Sequence, residues 1–149
     1  MALDPNGAYV TGFLGFVLNW AGRPEEAISL AQKAMRFSPL HPSWYVVVAA
    51  HAYRLLKRHQ DAVVLYQMAI KQTPNYISAH IGLTASYAEM GRLDDARTQA
   101  AEVLRIDPRY SIGRYATALT HKQPEHAQRS LDALRDAGLP ERPLWVQTV

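Results

Sequence analysis

Apolar residues recur at helical spacing along this chain, and three stretches carry the same arrangement. In residues 91–108 (GRLDDARTQAAEVLRIDP), Ala96, Ala100, Val103, Leu104 and Ile106 form one apolar stripe with a period of three to four residues. Gly91 ends the preceding helix, because glycine accepts a positive φ without steric cost. Asp94 and Asp95 fall in the first turn, where negative charge suits the helix dipole. Asp107-Pro108 stops the helix, since proline cannot continue the hydrogen-bond ladder. Residues 22–39 (GRPEEAISLAQKAMRFSP) and 57–74 (KRHQDAVVLYQMAIKQTP) repeat the arrangement, with Lys57 in place of the glycine. A left-handed Lys57 would cost about 1 kcal/mol relative to glycine.

A second apolar helical stretch precedes each of these. The most apolar is 8–21 (AYVTGFLGFVLNWA). A membrane span needs about 20 such residues, so this run is too short. No basic segment precedes it and Asp4 is acidic, which argues against a signal peptide. The pattern predicts a buried first helix.

Four prolines set a ruler: Pro5, Pro39, Pro74 and Pro108 are 34, 35 and 34 residues apart. Within each period a small residue in the first helix (Gly15, Ala50, Thr84) lies 12 residues before an alanine in the second (Ala27, Ala62, Ala96), and that alanine lies 12 before the proline. The extra residue of the middle period therefore falls between Pro39 and Ala49, in Leu40-His41-Pro42-Ser43. The units read Leu14-Gly15-x2-Leu18 with Ala27-x3-Ala31, Ala49-Ala50-x2-Tyr53 with Ala62-x3-Tyr66, and Leu83-Thr84-x2-Tyr87 with Ala96-x3-Ala100. This resembles the tetratricopeptide repeat, whose pattern is W-x2-L-G-x2-Y, then A-x3-F, then P. The initial tryptophan is replaced by Thr11, Val46, His80 and Arg114.

The resemblance implies an all-α fold: a right-handed α-solenoid of about four helix hairpins in one domain over 1–149. The repeats fall at about 7–39, 42–74, 76–108 and 110–140, with a tail at 141–149. Gly15, Ala27, Ala50, Ala62 and Ala96 mark the closest approach of helices, where a larger side chain would cost about 1–3 kcal/mol. The fourth unit is degenerate, with only nine residues from Ala118 to Ala127. The helix after Arg109 is expected to end early. A helix over 124–137 is predicted from Pro124, burying Ala127, Leu131 and Leu134 and ended by Gly138-Leu139-Pro140. Leu144, Trp145 and Val146 in the tail suit a cap or a contact with another molecule.

Leu3-Asp4-Pro5 repeats the ending Ile106-Asp107-Pro108, so the chain reads as a piece of a longer protein. Its first helix pair would then lack a neighbour and leave apolar surface exposed. Residues 131–141 (LDALRDAGLPE), after a shortened final repeat, are similar to the end of the repeat arrays attached to bacterial class III adenylate/guanylate cyclases. Similar arrays follow winged-helix DNA-binding domains in some bacterial regulators. In such proteins the chemistry lies in a separate domain, so the resemblance implies a regulatory or assembly role in a bacterial signalling protein.

Composition narrows the chemistry. The absence of cysteine excludes disulfides and thiolate zinc sites and fits a reducing, cytoplasmic setting. The net charge is +3, but lysine and arginine are scattered, with Arg54, Lys57 and Arg58 the densest group. That describes a solvated surface rather than a nucleic-acid footprint, so neither nucleic acid nor membrane is an expected partner. Gly12-x-x-Gly15 lies inside a predicted helix with no lysine after it, so it is no phosphate loop. The six histidines show no zinc-ligand spacing, and His121 and His126 are five apart across a predicted break. Glu25, Glu26, Asp94 and Asp95 open helices and serve the dipole rather than acid–base catalysis. No metal, cofactor or enzymatic activity is expected.

What remains is a groove. In this architecture the first helix of each unit lines the concave face. Its inward residues are Tyr9, Phe13, Phe16, Asn19 and Trp20 in the first unit, with Gly12 beside them. Trp44, Val47, His51 and Arg54 follow in the second, with Val48. Ser78 and Ile81 follow in the third, with Gly82, Ala85 and Glu89, and Tyr115 in the fourth, with Ile112 and Leu119. Phe13, Val48 and Gly82 also read as inter-helix core. Repeat proteins of this family that grip a peptide's terminal carboxylate use lysines and asparagines here, whereas this groove has Asn19, Arg54 and little else of that kind. An aromatic and aliphatic trough suits a protein partner presenting an amphipathic helix or extended apolar segment. The alternative is homo-oligomerisation through the array ends.

Overall fold

A computed structural model describes residues 5–114 and 124–143. Among the described residues seven helices are defined: α1 (Pro5–Trp20), α2 (Pro24–Phe37), α3 (Ser43–Leu55), α4 (His59–Gln72), α5 (Ile77–Glu89), α6 (Leu93–Ile106) and α7 (Pro124–Asp136). Residues 112–114 are also helical. There is no strand among the described residues. The expected early end of the helix after Arg109, with Tyr115 and Leu119, lies outside them, as do tail residues 144–149.

Helices pair as α1/α2, α3/α4 and α5/α6, and α2 and α4 also pack on α3 and α5, the first helices of the next pairs. The first helices meet as α1–α3 and α3–α5. The result is an α-solenoid of hairpins. Its spacing depends on small residues: Ala27, Ala62 and Ala96 are fully buried. A Cβ on Gly15 would lie 3.2 Å from the Ala27 carbonyl oxygen.

The hairpin turns share one geometry. Arg23, Arg58 and Arg92 each donate their backbone N–H to the carbonyl five residues earlier, Leu18, Tyr53 and Tyr87, at 2.9 Å. Gly22, Lys57 and Gly91, one residue before, have φ of 76°, 60° and 78°. This satisfies carbonyls that the helix end leaves open. Lys57 does take the left-handed conformation. Each following helix opens on an exposed pair: Arg23–Glu26, Arg58–Asp61 and Arg92–Asp95. The extra residue of the middle period lies in a connection, with five residues (38–42) between α2 and α3 against four (73–76) between α4 and α5.

Two expectations need correction. The first helix is not buried. Ala8, Leu18 and Asn19 are, but Tyr9, Val10, Phe13, Leu14, Phe16 and Val17 are exposed, because α2 and α3 cover only part of its circumference. The final helix differs too. Pro124–Asp136 follows the predicted span, and Leu139 N–H donates to the Leu134 carbonyl past Gly138, whose φ is 89°. However, Ser130, Ala133, Leu134 and Ala137 are its buried residues, while Ala127 and Leu131 are half-buried. The buried stripe is turned because α7 packs on α5 and presents Ser130 to a buried arginine of α3. The chain after it docks by its backbone: Ile112 N–H donates to the Pro140 carbonyl at 2.8 Å, and Gly113 N–H to the Glu141 carbonyl at 3.1 Å.

Candidate functional site

The inner sides of α1, α3 and α5 enclose an open concavity of about 420 Å³. Its lining includes Tyr9, Phe13, Phe16, Asn19 and Trp20 from α1, Trp44, Val47, His51 and Arg54 from α3, and Ser78 and Ile81 from α5. Val48 and Gly82 line it as well, whereas Gly12, Ala85, Glu89 and Ile112, also expected on the inward face, do not. Tyr115 and Leu119 lie outside the described residues.

The wall is a run of aromatic contacts. Tyr9 meets Trp44 edge-on with ring centroids 5.7 Å apart. Phe13 stacks on Phe16 at 6.1 Å, and Phe16 meets Trp20 at 5.9 Å. Such geometry fixes ring orientations beyond what burial alone does. Phe13 is half-exposed, so it belongs to the surface of the trough, whereas Val48 and Gly82 are buried in its floor.

Asn19 and Arg54 are tied to the scaffold. Asn19 Nδ2 donates to the Val48 carbonyl at 2.9 Å, tying α1 to α3. Arg54 is 2% exposed; its Nη1 donates to Glu89 Oε1 at 3.0 Å and to Ser130 Oγ at 2.9 Å. Its Nη2 donates to His51 Nδ1 at 3.2 Å, so that ring nitrogen carries no proton. Arg54, the one arginine or lysine among the described lining residues, is therefore neutralised by Glu89. Among the described lining residues a carboxylate would find no lysine, and an arginine already matched to an acid.

Two lining residues lie off the inner helix faces. Tyr66, from α4, reaches the groove through the gap left by Gly82, where an added Cβ would lie 2.3 Å from its ring. Tyr76 precedes α5, and burial pushes its phenol pKa up. The signal for Tyr66 was present: a glycine within a helical pattern marks a close approach.

The end of the trough is crossed by α7. Arg129 Nη2 donates to the Arg54 carbonyl at 3.2 Å, which answers the negative end of the α3 dipole. Its Nε lies 3.6 Å from Glu89 Oε2, and His59 Nδ1 lies 3.5 Å from the same oxygen, both too long for hydrogen bonds. Burial and the nearby arginines hold the His59 and His126 imidazoles below the ordinary histidine range, with Glu89 opposing. Among the described residues no cluster of three or more His, Cys, Asp or Glu could hold a metal ion. None of the described helices is long and apolar enough to cross a membrane.

Comparison with known proteins agrees with this geometry. Residues 53–122, just under half of the chain, match the tetratricopeptide repeat family. No curated protein matches the sequence. Among solved structures, the first tetratricopeptide domain of Spaghetti (RPAP3), bound to the HSP90 peptide SRMEEVD, is similar at 21% identity with a TM-score of 0.70. That match covers 92% of this chain and 94% of the other. The second such domain of human RPAP3, in complex with the HSP70 peptide SGPTIEEVD, matches at 16% identity and a TM-score of 0.67, covering 90% and 98%. MamA matches at 22% identity and 0.66, covering 90% and 78%. The fold is that of a tetratricopeptide-repeat solenoid.

Proposed function

We propose that this chain is a non-catalytic protein-interaction module whose concave trough holds an apolar segment of a partner. The observation that carries this is the aromatic wall of Tyr9, Phe13, Phe16, Trp20 and Trp44 over a floor in which Asn19 Nδ2 and Arg54 Nη1 are already bonded to the scaffold. The same fold holds peptides in the two RPAP3 domains, and both of those peptides end in Glu-Glu-Val-Asp. The trough here is unsuited to such an acidic end, because Arg54 is matched by Glu89. It suits an amphipathic helix or an extended aliphatic stretch. The similarity of residues 131–141 to arrays on bacterial class III cyclases supports a regulatory or assembly role, in the cytoplasm, within a larger signalling protein.

The test uses two labelled probes: an amphipathic leucine–glutamine helix and the acidic peptide SRMEEVD. The first is expected to bind and the second not. Phe16→Ala and Val47→Asp should each weaken the first by about tenfold, as loss of a central apolar anchor does, while far-UV circular dichroism stays helical. Unchanged binding in both variants, or preference for the acidic peptide, rejects the reading.

A further inference from the structure

We propose that the concave face continues beneath α7, and that α7 is an occupant held there in cis which a helical segment of the partner displaces. This rests on the reading of the trough above, and it selects a helix over an extended stretch.

The repeat register shows that α7 is out of place. α2 packs on α1 and α3, and α4 packs on α3 and α5, so these second helices lie against their own unit and the next. By its Ala127, α7 corresponds to the second helix of the fourth unit. It packs instead on α5, a first helix of the unit before, and bonds to α3 one unit further back. Arg54 Nη1 donates to Ser130 Oγ, and Arg129 Nη2 donates to the Arg54 carbonyl. His126 shares a cleft with Asn19 and Trp20 at the end of α1. α7 therefore lies across the ends of all three inner helices.

The inward side of α5 shows what is covered. Ser78, Ile81 and Gly82 line the open trough. Ala85 and Glu89 continue the same side along the helix. Ala85 is 2% exposed and shares a core cluster with Ala133, Leu134 and Ala137 of α7. The Glu89 side chain is 6% exposed and lies beside Arg129. The later turns of the concave face thus already hold a helix, and a helix is the shape they fit.

The contact is poised to open. Glu89 Oε2, His59 Nδ1, His126 Nδ1 and Arg129 Nε are buried there with no hydrogen-bond partner among the described residues. Burying polar atoms unbonded opposes docking, and release returns them to water. The apolar hold is modest, since Leu134 is the one large side chain among the buried residues Ser130, Ala133, Leu134 and Ala137. A partner helix laid along the face would also cover Phe13, Phe16 and Trp44, which line the part left open. That extra apolar burial drives the exchange.

Amide hydrogen exchange of the full chain, with and without a saturating amphipathic leucine–glutamine helix, tests this. The bound helix is expected to slow exchange in α3 and α5 and to speed it in α7 by about tenfold or more. The same peptide with two central prolines, which cannot form a helix, should do neither. Leu134→Asp, which places a charge at a fully buried position, should free α7 while α3 and α5 stay protected. That variant should bind the helix about tenfold tighter than the wild type, and adding Phe16→Ala should remove the gain. Exchange in α7 that is unchanged or slowed by the bound helix overturns the proposal, and this wild-type result decides even if Leu134→Asp unfolds more widely. Equal affinity with α7 freed also overturns it, as does an equal response to the proline peptide. Binding without release of α7 rejects this proposal alone, whereas no binding by either protein rejects the trough reading and this one with it.

Discussion

Arg54 and Glu89 face each other where the last turns of α3 and α5 meet, Nη1 to Oε1 at 3.0 Å, with side chains 2% and 6% exposed. The pair joins two hairpins and, through Ser130, the final helix. Removing one member leaves the other charge buried. Glu89→Ala is expected to cost about 3–5 kcal/mol. The double replacement Arg54→Met with Glu89→Leu should recover most of that loss, because it removes both desolvation costs. Urea unfolding of the three proteins measures both quantities.

The surroundings of that pair give the solenoid an acid-sensitive seam. The His59 imidazole is held below its ordinary value of 6.5 by burial, then by Arg129, Arg54 and Lys57, against Glu89. His126 is lowered by burial, Arg129 and Arg54, against Glu125 and Glu89. Each therefore favours its neutral form in the folded state. Their contribution is complete above the unfolded value and is lost as pH falls below it through the depressed folded values. Stability is expected to fall as pH drops below about 6.5, and His59→Gln should flatten the fall. Urea midpoints across that range check the direction.

Lys57 occupies the turn position that glycine holds in the other two hairpins, with φ of 60°. Its left-handed backbone costs about 1–2 kcal/mol, which the greater unfolded-state freedom of glycine offsets in part. Lys57→Gly is expected to raise stability by about 0.5–1 kcal/mol. Thermal or urea unfolding reads the change.

Gly82 is the passage through which Tyr66 reaches the trough. Gly82→Ala improves helix propensity by up to about 1 kcal/mol. The new methyl would meet a ring that is 1% exposed and has little room to retreat. Overpacking of that kind costs about 1–3 kcal/mol. A net loss of about 1 kcal/mol is expected, with weaker binding of the apolar probe. A stability gain would show that Tyr66 can move aside.

The hairpin fold was determined by the chain's own periodicity. Turns at Gly22, Lys57 and Gly91 and the stripes of α2, α4 and α6 are set by residues close in sequence, so local patterning specifies them. The inward sides of α1, α3 and α5 followed from the same period, and the trough collects the residues that period selects. Tertiary structure decided which residues of α1 are exposed, since burial depends on which neighbours cover each side of a helix. It also decided the orientation of α7, whose stripe is set by a distant arginine rather than by its own period. Arg54 and Asn19 read in sequence as polar groups of the groove. Whether a buried charge is open or answered depends on a partner about 35 residues away, and local pattern carries no record of that distance.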